Sequence, residues 1–182
     1  MGLTVRQAAT DELTGTEVGA IRAILDAAFG NDEEERFTED DWQHAVGGRH
    51  FVAELDGEIV GHASVVEREL LLGGQPLRTG YVEAVAVAPG HQGTGLGSRL
   101  MQAVNDHVRE RFELGALGTG RVSFYERLGW QTWTGPSSVR APDGERATPA
   151  DDGYILVLAT PTSPGLDLAA GISCDWRQGD VW

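Results

Sequence analysis

Apolar residues recur at helical spacing at Val18, Ile21, Ile24, Leu25, Ala28 and Phe29, after an alternating stretch, Leu3 to Gln7, that predicts a first strand. Thr38-Glu39-Asp40-Asp41 reads as a capping box with Asp41 in the place of the usual Glu or Gln, so a short helix over about 39–46 follows, anchored by Trp42. Phe51 to Leu55 and Glu58 to Leu72 read as strands joined by an Asp56-Gly57 turn, and Gly73-Gly74 turns into a strand over Leu77 to Val87. Leu96, Leu100, Met101, Val104 and Val108 line one face of a helix ending near Phe112. Leu114 to Leu117 reads as a short buried strand, Arg121 to Leu128 as a helix stopped by Gly129, and Tyr154 to Leu158 as the final strand. Gly135 to Gly153, rich in Pro, Gly and polar residues, reads as a long surface loop. This order predicts a mixed α/β sheet in a single domain spanning 1–182.

Between the strand ending at Val87 and the amphipathic helix stands Gln92-Gly93-Thr94-Gly95-Leu96-Gly97. Glycines there expose the backbone N–H groups and the positive end of a helix macrodipole to a ligand, which predicts a phosphorylated one. A P-loop would continue with Lys-Ser or Lys-Thr, but Ser98-Arg99 follows and the chain contains no lysine. A dinucleotide fold would space its glycines as G-x-G-x-x-G and place an acid about 20 residues on; the glycines are at 93, 95 and 97, and position 117 is Leu. The remaining pattern, Gln/Arg-x-x-Gly-x-Gly/Ala between strand and helix, resembles the acetyl-CoA loop of the GNAT acetyltransferase superfamily. A ligand-free glycine turn is the plain alternative.

Charge changes the picture of the partner. The formal net charge of −14 argues against nucleic acid and for a cation. Asp32, Glu33, Glu34, Glu35, Glu39, Asp40 and Asp41 crowd one short stretch, which reads either as a solvated loop or as a cation site. No segment approaches the roughly 18 apolar residues of a membrane span, and the N-terminus has neither a basic start nor a long apolar run, so the expectation is a soluble, cytoplasmic protein without a membrane partner. Cys174 is the single cysteine, and no Cys/His cluster has metal spacing, so no metal is expected.

Two side chains could do chemistry. Strand alternation places Tyr81, Glu83, Val85 and Val87 on one face and Val82, Ala84 and Ala86 on the other. Glu83 is thus an acid in an apolar strand, either a base raised by desolvation or a structural acid paired with an arginine such as Arg78. Tyr125, in Ser123-Phe124-Tyr125-Glu126-Arg127-Leu128-Gly129-Trp130, is either a proton donor or a gap filler. A phenol near pKa ~10 and a thiol near ~8.5 are close enough for transfer. The histidines at 44, 50, 62, 91 and 107 form no metal spacing and are assigned no role.

With these residues in place the chain resembles, within the GNAT superfamily, the aminoglycoside 2′-N-acetyltransferases of the mycobacterial type. The resemblance rests on Phe37-Thr38-Glu39-Asp40-Asp41-Trp42, Gly80 to Val87, Leu114 to Leu117, Gly129-Trp130, Gly135-Pro136, Asp151-Asp152-Gly153 and above all the ending Cys174-Asp175-Trp176-Arg177-Gln178-Gly179-Asp180-Val181-Trp182. It implies the GNAT fold, a mixed sheet splayed beside the glycine loop, with acetyl-CoA as co-substrate. Backbone of Val85, Ala86 and Val87 would meet the pantetheine, and Gln92, Gly93, Thr94, Gly95, Leu96 and Gly97 the pyrophosphate. Glu83 would be the base, acting through water and facing the acceptor, and Tyr125 the general acid. Asp41, Asp151, Asp152, Asp180, the terminal carboxylate of Trp182 and backbone near Gly118 would meet the aminoglycoside, whose ammonium groups suit carboxylates. The acidic stretch around Glu35 departs from the family as an apparent insertion. The resemblance further implies a homodimer. Two other readings stay open: an acetyltransferase for another polyamine or a protein N-terminus, and a non-catalytic acyl-CoA sensor.

Overall fold

The structure, a computed structural model, describes residues 2–30 and 36–182. The acidic run Asp32 to Glu35 falls outside the described residues. The chain divides into two compact units, one of residues 1–66 and 82–104, the other of residues 67–81 and 105–182.

In the first unit, β1 (Thr4–Ala9) pairs antiparallel with β2 (Arg49–Leu55), and β2 pairs antiparallel with β3 (Glu58–Leu72). The β2–β3 hairpin turns at Asp56 and Gly57, both at positive φ (52° and 89°), which is why Asp-Gly serves there. Helix α1 (Gly15–Phe29) starts on a Thr14–Glu17 capping box, and α2 (Glu39–Ala45) on the expected Thr38–Asp41 box. Their apolar faces, with Ile21, Ile24, Leu25 and Trp42, bury against Ala8, Val52 and Ala86 in one cluster. At β3, a Cβ on Gly61 would sit 3.1 Å from the Leu96 side chain and 3.3 Å from the Ala86 carbonyl oxygen, so glycine permits a close approach there.

In the second unit the strand order is β6 (Gln131–Thr132), β9 (Ile155–Ala159), β5 (Leu114–Gly118), β4 (Gln75–Val87), β3, β10 (Ile172–Asp175), β7 (Ser137–Ala141), β8 (Gly144–Ala147). Strands β3 and β4 and helix α3 (Leu96–Arg111) run through both units. β4 and β5 are parallel over three pairs, Thr79↔Leu114 to Tyr81↔Ala116, and Val85 to Val87 lie beyond them. Asn105 holds the turn that leads into β6: its amide donates to the Leu128 carbonyl and its oxygen accepts from Trp130 Nε1, both at 3.0 Å.

Three expectations are corrected. Gly135 to Gly153 is not one long loop but contains the β7–β8 hairpin, whose first strand pairs in parallel with β10 from Ile172↔Ser137 to Asp175↔Arg140. Ile155–Ala159 is not the final strand, because β10 follows it. And strict alternation along Tyr81 to Val87 breaks at Ala84, whose φ of 51° is left-handed, so the pleat cannot run regularly through it.

Candidate active site

Gln92 to Gly95 form a loop between a 3₁₀ turn (Pro89–His91) and α3, whose first residues are Leu96 and Gly97, and the loop's shape comes from local bonds. Gly93 and Gly95 have φ of 75° and 86°, which L side chains rarely adopt. Gln92 Nε2 donates to the Val87 carbonyl at 3.1 Å, and Thr94 Oγ1 to the His91 carbonyl at 2.7 Å, closing the loop on itself. A Cβ at Gly93 or Gly95 would meet nothing within 4 Å, so the space over these backbone groups is open. Leu96 is buried, leaving its backbone N–H rather than its side chain for a ligand.

On β4, Glu83 is half-buried and stands next to the left-handed Ala84. Val85 and Val87 are half-buried while Ala86 is in the core, so main-chain groups are what this segment can offer a ligand. Arg78, the partner weighed for Glu83, places its guanidinium 3.2 Å from Glu67 and over the Phe112 ring. Asp41 is committed to its cap: Oδ2 accepts from Thr38 N and Oγ1, both at 2.7 Å, so a cation would be met by Oδ1.

In the second unit Tyr125 lies on α4 (Val122–Glu126), 7% exposed, with its ring edge-on to Phe124 and Trp130. Its carbonyl accepts from Leu128 N and Trp130 N, and Gly129 at φ 95° lets the chain fold back so. Burial pushes the phenol up to about 12. The sequence-based match between phenol and thiol is therefore wider than expected, and Tyr125 stays protonated across the neutral range, fit to donate and not to accept.

The same unit brings five of the expected acceptor residues together. A Cβ on Gly118 would lie 3.4 Å from the Trp182 carbonyl carbon. Asp180 Oδ1 accepts from Trp182 N at 3.2 Å. Asp151 has its pKa raised by burial first and then by the charges of Asp180 and Asp152. That repulsion is what a polycation relieves. Asp152 has a second duty, since its Oδ1 accepts from Ser137 N and Oγ at 2.9 and 2.7 Å and pins the start of β7.

The tail is fixed by an arginine that no sequence motif marks out. Arg68, 6% exposed, donates to Asp175 Oδ1 at 2.9 Å, to the Asp175 carbonyl at 2.7 Å and to the Val181 carbonyl at 2.9 Å, and lies over the Tyr81 ring at 4.7 Å. Arg177 Nη2 donates to the Trp182 carbonyl at 3.2 Å, and the Trp182 indole N–H to Thr148 at 2.9 Å. The signal available was an arginine within the apolar run of β3. Among the described residues no group of three or more His, Cys, Asp and Glu is arranged to hold a metal ion.

Residues 9–133 match the model of the acetyltransferase (GNAT) domain. An aminoglycoside 2′-N-acetyltransferase of Mycolicibacterium fortuitum is 42% identical over 171 residues, covering 92% of this chain and 85% of the relative. The chain belongs to the GNAT acetyltransferase family. A GNAT acetyltransferase takes its acetyl group from acetyl-CoA, and the open glycine backbone ahead of α3 is the feature of this chain suited to the donor's phosphates. The GNAT fold is seen again in the crystal structure of an Escherichia coli GNAT N-acetyltransferase in complex with CoA. Its TM-score is 0.66 at 18% identity, over 95% of this chain and 89% of that one. A GCN5-related N-acetyltransferase from Kribbella flavida matches with a TM-score of 0.59 at 23% identity over 74% of this chain, which spans about a third (34%) of that longer protein. Among the described residues, no helix of this GNAT protein is long and apolar enough to cross a membrane.

Proposed function

We propose that this protein transfers the acetyl group of acetyl-CoA to the 2′-amino group of aminoglycosides by direct attack within a ternary complex. The observation that carries the reading is the 42% identity, over nearly the whole chain, to a protein named for that reaction. The acids at 151, 152 and 180 support it chemically, because an aminoglycoside is a polyammonium and carboxylates bind ammonium through charge-assisted hydrogen bonds. The net charge of −14 adds a steering field for a polycation.

In this reading Glu83, through a water molecule, accepts a proton from the 2′-ammonium. The freed nitrogen attacks the thioester carbonyl, the C–N bond forms, the C–S bond breaks, Tyr125 gives its phenolic proton to the departing sulfur, and the second proton that the nitrogen sheds as the amide forms returns through solvent to the Tyr125 phenolate. Backbone of Val85 to Val87 and of Gln92 to Gly97 holds the donor, while Asp41, Asp151, Asp152, Asp180, Trp182 and Gly118 orient the acceptor. Positioning of two bound substrates supplies much of the rate. The reading includes a cytoplasmic homodimer acting on small molecules, without nucleic acid or membrane.

Mass spectrometry of products tests the regiochemistry. An aminoglycoside with a 2′-amino group should gain one acetyl group, and its 2′-hydroxyl counterpart none. Acetylation of both, or of simple polyamines with equal efficiency, would remove the 2′ assignment. Asp151→Asn should raise KM for the aminoglycoside about tenfold and leave KM for acetyl-CoA unchanged; steady-state kinetics with each substrate varied in turn reads both.

A further inference from the structure

A chain of buried hydrogen bonds ends on the backbone beside Glu83, and no role in the reaction described above uses it. His50 and His62, both 0% exposed, stack against each other at 5.2 Å between centroids, with Trp42 at 5.9 and 6.2 Å. Thr10 Oγ1 lies 2.8 Å from His50 Nε2, His50 Nδ1 2.9 Å from His62 Nε2, and His62 Nδ1 2.8 Å from the Ala84 carbonyl oxygen. At its far end Thr10 Oγ1 accepts from Gly47 N at 2.9 Å.

The order of protons follows from one end. A carbonyl only accepts, so His62 Nδ1 carries a proton. A neutral His62 then has a bare Nε2, which obliges His50 Nδ1 to donate; His50 Nε2 is bare in turn and accepts from the Thr10 hydroxyl. Every donor points toward Ala84, and both imidazoles are neutral Nδ1–H tautomers. Burial, which depresses His50 to about 4 and His62 to about 3, keeps them neutral.

The end of this chain is where the backbone is strained. Ala84 and Asp56 are the non-glycine residues at positive φ among the described residues, and Asp56 sits in a hairpin turn, whereas Ala84 lies within β4. A left-handed alanine is strained and persists only where its surroundings hold it. Relaxing Ala84 to extended geometry would redirect the chain immediately after Glu83.

We propose that His50 and His62 are positioning residues: through the hydrogen bond from His62 to the Ala84 carbonyl they hold the left-handed peptide that aims the Glu83 carboxylate. The proposal rests on the reading of Glu83 as the base. It gives the buried pair a function that structural packing does not require, since two apolar side chains would fill the same space without a directed proton order.

Two measurements test it. The imidazole ¹⁵N spectrum of the intact protein at pH 7 should show both rings neutral with the proton on Nδ1; either ring protonated on Nε2 overturns the donor order. In kinetics, His62→Phe should lower kcat about 10- to 100-fold with KM for both substrates nearly constant. His62→Asn, whose Nδ2 can reproduce the bond to Ala84, should recover most of kcat without recovering the melting temperature, because His50 Nδ1 then lacks its acceptor. In a Glu83→Gln background His62→Phe should change kcat less than about twofold, the effect expected of groups acting as one unit. An equal loss in both backgrounds, or no rescue by Asn, overturns the positioning role while leaving Glu83 as the base. Full kcat in Glu83→Gln alone overturns the base reading and the positioning role together.

Discussion

Tyr125→Phe is expected to lower kcat by about 10²- to 10⁴-fold, the range contributed by a positioned general acid. KM for both substrates and the melting temperature should move little. The side chain is 7% exposed and its contacts are ring edges with Phe124 and Trp130, all of which Phe keeps. The phenol held at about 12 sets how the proton moves. Against a thiol near pKa ~8.5, complete transfer in the empty site runs uphill by about 5 kcal/mol. In the proposed reaction Tyr125 would therefore contribute chiefly by hydrogen bonding the sulfur as negative charge develops, with the proton passing as the C–S bond breaks. The same burial means that Tyr125 is protonated at every pH of practical use, so an alkaline fall in kcat/KM below pH ~10 belongs to another group. Turnover of the Phe variant equal to the parent's would remove the acid role.

The second large effect is on stability in acid. His50 and His62 titrate near 4 and 3 in the folded protein and near 6.5 once unfolded. Both are bases with depressed folded pKa values, so the unfolded chain binds more protons as pH falls below about 6.5, and stability drops in the same direction. Where both rings are charged unfolded and neutral folded, the slope approaches about 2.7 kcal/mol per pH unit. That is large against the typical 5–15 kcal/mol of a domain. The lowered carboxylates Glu17, Glu39 and Asp143 add to the loss only at lower pH, and Asp151, raised by burial and its acidic neighbours, opposes them. Urea midpoints should fall steeply from pH 6.5 to 5. Calorimetry at pH 5 in buffers of different ionisation enthalpy should find close to two protons taken up on unfolding, and uptake near zero would show that the pair is not neutral when folded.

Local signals in the chain account for the elements that were anticipated. Asp56-Gly57 and Gly73-Gly74 turn where backbone must reach positive φ, and Thr38 with Asp41 caps a helix through its own atoms. Such features need only a few consecutive residues. The β7–β8 hairpin needed more, because its first strand is held by Ile172 to Asp175, some thirty residues on, and its exposed second strand shows no apolar alternation. One local sign was present all the same: Pro142-Asp143, between the paired Ala141 and Gly144, is a pair of turn-forming residues. The candidate site divides likewise. The glycine loop, Glu83 and Tyr125 are carried by short motifs, whereas Arg68 is joined to the tail by partners at 175 and 181.

By itself the sequence determined the class of donor and pointed to the two candidate proton-transfer residues and the candidate acidic partners of the acceptor, because each depends on residue type within a short window. The histidine pair was decided by tertiary structure alone. From the turn outward the β2–β3 register runs Leu55↔Glu58 and Glu54↔Ile59, then shifts by one residue between Ala53 and Glu54, so that Val52 faces His62 and His50 faces Ser64. Side chains alternate with a period of two, and without that single extra residue His50 and His62 would lie on opposite faces of the sheet. The bulge puts them on one face, in line with Ala84. No count of spacing between positions 50 and 62 could show that, since it depends on where a long hairpin slips.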